Sequence, residues 1–79
     1  MNNPKHMTPF CRLHGLRLEF FNDMEHWRFL KGVNYVEWWP STGRTCINGN
    51  FSKKQYWMSD YKRLKVFLEL AFDFLGGKS

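Results

Sequence analysis

The sequence predicts an α+β fold: a helix, an antiparallel meander of three or four strands, and a C-terminal helix, with both helices packed on one sheet face. Three observations carry this. Tyr35, Val36, Trp38 and Trp39, then Thr45 and Ile47, suit a pleated surface, and Pro40-Ser41-Thr42-Gly43 between them supplies a reversal. Asn48-Gly49 between apolar neighbours is the strongest short-range hairpin signal, because a type I′ turn needs positive φ at both centres. From residue 60 onward apolar residues recur at helical spacing until Gly76-Gly77 stop the run.

The 79 residues make one domain, placed at residues 8–77 behind a disordered leader over residues 1–7, where nothing offers itself for packing. A chain of this size buries only about 60% of its unfolded surface. Four Trp, three Tyr and eight Phe supply the bulk that so small a core needs.

Thr8 as N-cap and Pro9 at the first helical position open the first helix, which the spacing of Phe10, Leu13, Leu16 and Phe20 carries to about Phe21. A rival reading ends the helix at Gly15. It takes the alternation of Leu16, Leu18 and Phe20 with Arg17 and Glu19 as a strand, with Asn22-Asp23 turning a hairpin. His26–Leu30 is the first strand of the main sheet, and Lys31-Gly32-Val33-Asn34 turns into Tyr35–Trp39. Successive strand side chains point to opposite faces, so of Trp38 and Trp39 one faces the core and the other faces outward. Pro40 presets the first corner of the next turn, and Gly43 can take the left-handed conformation that returns the chain to the ladder at Arg44–Ile47. An irregular fourth strand is expected over Asn50–Trp57.

Ser59 or Asp60 caps the final helix. Lys62, Lys65, Glu69 and Asp73 form a narrow polar stripe on it, while Leu64, Phe67, Leu68, Leu70, Ala71, Phe72, Phe74 and Leu75 cover the rest. That apolar arc exceeds the ~100° a surface helix needs, so either the helix lies deep between the sheet and the first helix, or part of it forms a subunit or target interface, a homodimer included.

The net charge of +5 is concentrated in one window. Residues 44–65 hold Arg44, Lys53, Lys54, Lys62, Arg63 and Lys65 against Asp60 alone. Such a basic patch attracts phosphates or an acidic protein surface. Lys62, Arg63 and Lys65 open a helix, where cations oppose the macrodipole but free N–H groups favour an anion. Tyr56, Trp57 and Tyr61 interleave with these cations as stacking surfaces. The basic patch, with the outward member of Trp38 and Trp39 and with Tyr56, Trp57 and Tyr61 as aromatic anchors, is the candidate binding site.

Enzymatic chemistry is not expected. His6, His14, His26, Cys11 and Cys46 show no nucleophile–base–orienter arrangement, no Gly-rich phosphate loop is present, and the seven acidic residues show no pairing. Cys11-x-x-His14, with Cys46 and His26 as remote completions, is only half of a zinc pattern, so no metal and no cofactor are expected. Two cysteines are too few for a disulfide framework and read as small buried residues. No segment supplies a signal peptide or the ~20 apolar residues of a membrane span, so the expected location is cytoplasmic.

Two resemblances follow from these residues. The helix–strands–helix order with basic residues opening the last helix is similar to the double-stranded RNA-binding domain over about residues 9–75, without that family's Ala-rich second-helix signature. Trp38-Trp39-Pro40-Ser41-Thr42-Gly43-Arg44, preceded by His26-Trp27-Arg28-Phe29, resembles a Trp-Pro-Ser/Thr-Thr-Gly-Lys/Arg hairpin motif of small bacteriophage and prophage proteins. That second resemblance implies a non-enzymatic inhibitor of host defence, such as an anti-CRISPR protein, or a small nucleic-acid-associated factor. Its partner would be a host protein or nucleoprotein complex in the host cytoplasm, with DNA or RNA as the alternative.

Overall fold

The strand count exceeds the expectation by at least one. A computed structural model, which describes residues 4–58 and 60–76, shows a five-stranded antiparallel sheet in the order β1-β2-β3-β4-β5, preceded and followed in the chain by a helix. The strands are β1 (Arg17–Phe21), β2 (His26–Lys31), β3 (Asn34–Trp39), β4 (Arg44–Ile47) and β5 (Asn50–Phe51). The helices are α1 (Thr8–His14) and α2 (Tyr61–Gly76). The domain is therefore α+β.

The extra strand comes from residues expected to continue the first helix. That helix does not reach Phe21. It stops at Gly15, which takes φ 67° and donates its N–H to the carbonyls of Arg12 and Cys11, while Leu16 N–H reaches Cys11 O at 2.7 Å. Arg17–Phe21 then pairs with β2, Leu18 opposite Phe29 and Phe20 opposite Trp27. The rival strand reading was the correct one: period-2 alternation gains a partner edge in β2, and a helix continued through Gly15 would forgo it. Asn22, Asp23 and Met24 make the hairpin loop with φ of 53°, 55° and 68°. Asn and Asp tolerate this region, but Met does not favour it. Trp27 holds it there by donating its indole N–H to Met24 O at 2.8 Å.

The helix start is also displaced by one residue. Met7, not Thr8, occupies the cap position, without a side-chain cap bond, and Pro9 sits within the first turn. Met7 is completely buried, Pro4–His6 form a short 3₁₀ turn, and His6 stacks on Tyr61 with centroids 5.0 Å apart. Residues 4–7 thus pack against the domain, with Met7 docked into the core. Residues 1–3 lie outside the described residues.

Pairing register decides which side chains share a face. Trp27 lies opposite Trp38, which lies opposite Thr45, and Phe29 lies opposite Val36. These residues are all buried and meet Phe10 and Cys11 of α1 and Leu64, Leu68, Ala71 and Phe72 of α2. Both helices therefore cover one sheet face. The Trp27 and Trp38 rings meet edge to face at 5.0 Å, an arrangement favoured by the ring quadrupoles.

Asn48 and Gly49 take φ of 49° and 87°, as a type I′ turn requires. Asn48 Oδ1 also accepts Tyr35 N–H at 2.8 Å, tying this turn to the head of β3. The strand expected over Asn50–Trp57 is only Asn50–Phe51, because Tyr56 and Trp57 donate their N–H groups locally to Lys53 and Lys54 in a 3₁₀ turn. At the start of α2, Asp60 Oδ1 accepts Lys62 N–H at 3.2 Å and Asp60 O accepts Leu64 N–H at 2.9 Å, so Asp60 is the cap of the pair proposed. Ser59 and Gly77 lie outside the described residues. No helix among the described residues is long and apolar enough to cross a membrane.

Candidate binding surface

The helices leave the opposite sheet face open, and strand alternation dictates what it carries. Its central row runs Glu19, Arg28, Glu37, Cys46, Phe51 across β1 to β5. Glu37, with 13% of its side chain exposed, accepts Arg28 Nε at 3.1 Å and Arg28 Nη2 at 3.0 Å from one side. Its Oε2 also lies 3.0 Å from His26 Nε2. Arg28 reaches Glu19 at 4.0 Å, and Glu19 pairs with Arg17 at 3.3 Å. Both carboxylates on this face are therefore engaged by its own cations, which favours binding an anionic partner over repelling one.

The adjacent row is aromatic. Phe21 lies 5.2 Å from His26, and His26 stacks on Trp39 at 4.3 Å with the rings 15° from parallel. Trp39 in turn lies 5.8 Å from Phe51. Arg44 then spans Phe51 and Trp57 at 5.4 and 5.1 Å, and Lys54 approaches Trp57 at 6.0 Å. Trp57 is held by donating its indole N–H to Ser52 O at 3.2 Å. The result is a strip of π-faces ending in two cations, fixed by cross-strand pairing and cation–π contact.

The residues singled out from sequence divide between this surface and elsewhere. Trp39 lies on the open face. Arg44, Lys54 and Trp57 come together, with Lys53 exposed just before the turn and Tyr56 exposed within it. Trp38 is not a surface anchor: only 1% exposed, it donates its indole N–H to Met58 O at 2.7 Å and so fixes the approach to α2. Tyr61 turns inward, 5.8 Å from Trp38 and 6.0 Å from Trp27. Lys62, Arg63 and Lys65 ride on α2, in the layer behind the sheet, and no described contact joins them to the Arg44–Trp57 cluster. One basic window in sequence thus becomes two groups, because the Lys54–Tyr56 turn carries the chain from the sheet edge to the helix layer.

Phe21, His26, Arg28, Glu37 and Phe51 were not singled out as surface residues. Their signal is strand alternation, which puts them on the same sheet face as Trp39 and is legible only once register is known.

The cysteines occupy opposite sides of the sheet. Cys11 packs in the helix-covered core, and burial raises its thiol pKa from 9.0 to about 11. Cys46 lies on the other face beside Glu37, and burial, then the neighbouring carboxylate, push its thiol up as well. Both therefore stay protonated at neutral pH, unlike an activated thiolate. His14 pairs with Glu69 at 3.3 Å, so Cys11, His14, Cys46 and His26 do not converge. Among the described residues no group of three His, Cys, Asp or Glu could hold a metal ion.

The raised Cys11 pKa has a consequence for stability. Between pH 9.0 and about 11 the folded chain keeps a proton that the unfolded chain loses. Stability is therefore full below pH 9 and declines above it, with a slope approaching about 1.4 kcal/mol per pH unit. Urea melts across this range should show the decline, and Cys11→Ala should reduce it to the share that the raised Cys46 thiol contributes. An unchanged slope in that variant would exclude Cys11 as the source.

No protein-family model, curated protein or solved structure matches the chain.

Proposed function

We propose that this chain is a non-enzymatic, phage-type binding protein that inhibits a host nucleoprotein or defence machine by occupying one of its surfaces, with the open sheet face as the grip. One observation carries the reading: the strip from Phe21 through His26, Trp39 and Phe51 to Trp57, capped by Arg44 and Lys54, on the face the helices leave uncovered. Rigid aromatic rings with arginine are the side chains that dominate interfaces, because they bury much area at little entropic cost. The cations add steering toward an acidic target. The hairpin-motif resemblance at Trp38–Arg44 supplies the phage context and the host cytoplasm as the place of action. The test is to add the purified chain to a panel of guide-loaded CRISPR effector complexes and measure target cleavage. Inhibition of one effector, relieved by Trp39→Ala, is the expected result; full cleavage throughout the panel would remove this reading.

A second reading, direct binding of DNA or RNA by the same face, is favoured by Arg44 and Lys54 flanking Trp57, since bases stack on rings while cations meet phosphates. It predicts a log–log salt slope of about −0.7 per neutralised phosphate for single strands and about −0.9 for duplex DNA. Arg44→Glu should weaken binding and flatten that slope by about one phosphate's worth. Salt-independent, weak binding to single- and double-stranded DNA and RNA alike would reject it.

A further inference from the structure

Once α2 has buried Leu64, Leu68, Ala71 and Phe72, a second apolar stripe remains on its outer side: Val66, Leu70 and Phe74, exposed at 54, 66 and 82%. These residues recur every four positions, so they form one line along the helix, and exposed Arg63, three residues before Val66, lies on the same side of it. The charges along α2 are segregated. Lys62, Arg63 and Lys65 occupy its first half, Glu69 and Asp73 its second, with no acidic residue in the first turn and no basic residue in the last. This distribution opposes the helix macrodipole at both ends. Among the described residues, no ion pair engages Lys62, Arg63, Lys65 or Asp73.

We infer that the occupant of this stripe is a second copy of the same chain, with the two α2 helices packed antiparallel about a two-fold axis at the level of Leu68. The charge pattern selects this occupant and this direction. Antiparallel packing sets Arg63 of each copy against Asp73 of the other and brings Lys62 over the ring of Phe74. Val66 then meets Leu70 in both halves of the interface. Each helix start receives the other copy's Asp73 carboxylate, offsetting the unfavourable dipole placement. Parallel packing would instead align like charges along the whole length. In the dimer the helices lie at the centre and the two open sheet faces point outward, so each particle presents two copies of the aromatic strip.

Sedimentation equilibrium on the full chain tests this, together with Leu70→Glu, Arg63→Asp, Asp73→Arg and the double variant Arg63→Asp/Asp73→Arg. The wild type should show a concentration-dependent dimer. Leu70→Glu should be monomeric while melting with the cooperativity of a folded domain, since Leu70 lies outside the core. Each single charge reversal should weaken association roughly tenfold by setting like charges against each other twice per dimer. The double variant should recover most of that loss, because the exchanged pair is again complementary. A monomer at every concentration overturns the proposal, as does a dimer indifferent to Leu70→Glu or a double variant no tighter than the single ones.

Discussion

Trp38→Ala is expected to cost about 4 kcal/mol of folding stability, whereas Trp39→Ala is expected to leave the domain folded and weaken binding to the proposed target. The two residues are neighbours in sequence with opposite environments. Trp38 is sealed between Trp27, Tyr61 and Thr45, and large-to-small changes at such sites cost ~3–5 kcal/mol through lost burial and the remaining cavity. The variant also strips Met58 O of the indole donor, leaving a partly buried carbonyl short of a bond. Against a total stability of about 5–15 kcal/mol, the low end being usual for so small a chain, this leaves little margin. Trp39 instead stacks its ring on His26 at the open face, and its loss should weaken target binding by roughly 30-fold or more while costing far less stability. Chemical denaturation and binding titrations of both variants separate the outcomes. Equal destabilisation by the two substitutions would mean that the faces are assigned wrongly.

Gly43→Ala should be the most damaging single-methyl change in the chain, at about 3 kcal/mol, or roughly a 12–24 °C fall in Tm for a domain of this size. Two independent causes act at this residue. Its φ of 81° is a conformation that L side chains resist. A Cβ there would also lie 2.8 Å from the backbone carbon of Met58 and 2.9 Å from its oxygen, which no rotamer change relieves. Gly43 O accepts Met58 N–H at 2.8 Å, and Trp38 donates to Met58 O, so pushing Met58 away breaks both bonds that lead the chain into α2. Gly32→Ala provides the control: it has a comparable φ of 63° and open space around it, so only the conformational share of the cost should appear. Similar losses at the two positions would show that the close approach to Met58 carries no energy.

The elements whose signals are local were legible in the residues themselves. Asn48-Gly49 turned as its dipeptide dictates, Asp60 capped α2, and Trp38 and Trp39 parted to opposite faces because strand alternation leaves no other choice. Residues 16–21 could satisfy either a helix or a strand, and only the free edge of β2, which pairs Leu18 with Phe29, decided between them. Proximity along the chain likewise put Arg44 and Lys62 in one patch, while the turn at Lys54–Tyr56 sent them to different layers. The aromatic strip depends wholly on register: Phe21, His26, Trp39 and Arg44 share a row through backbone pairing between residues far apart in sequence. Local sequence determines conformational preference, but non-local hydrogen bonding and burial choose among preferences of similar energy, and they alone bring those side chains together.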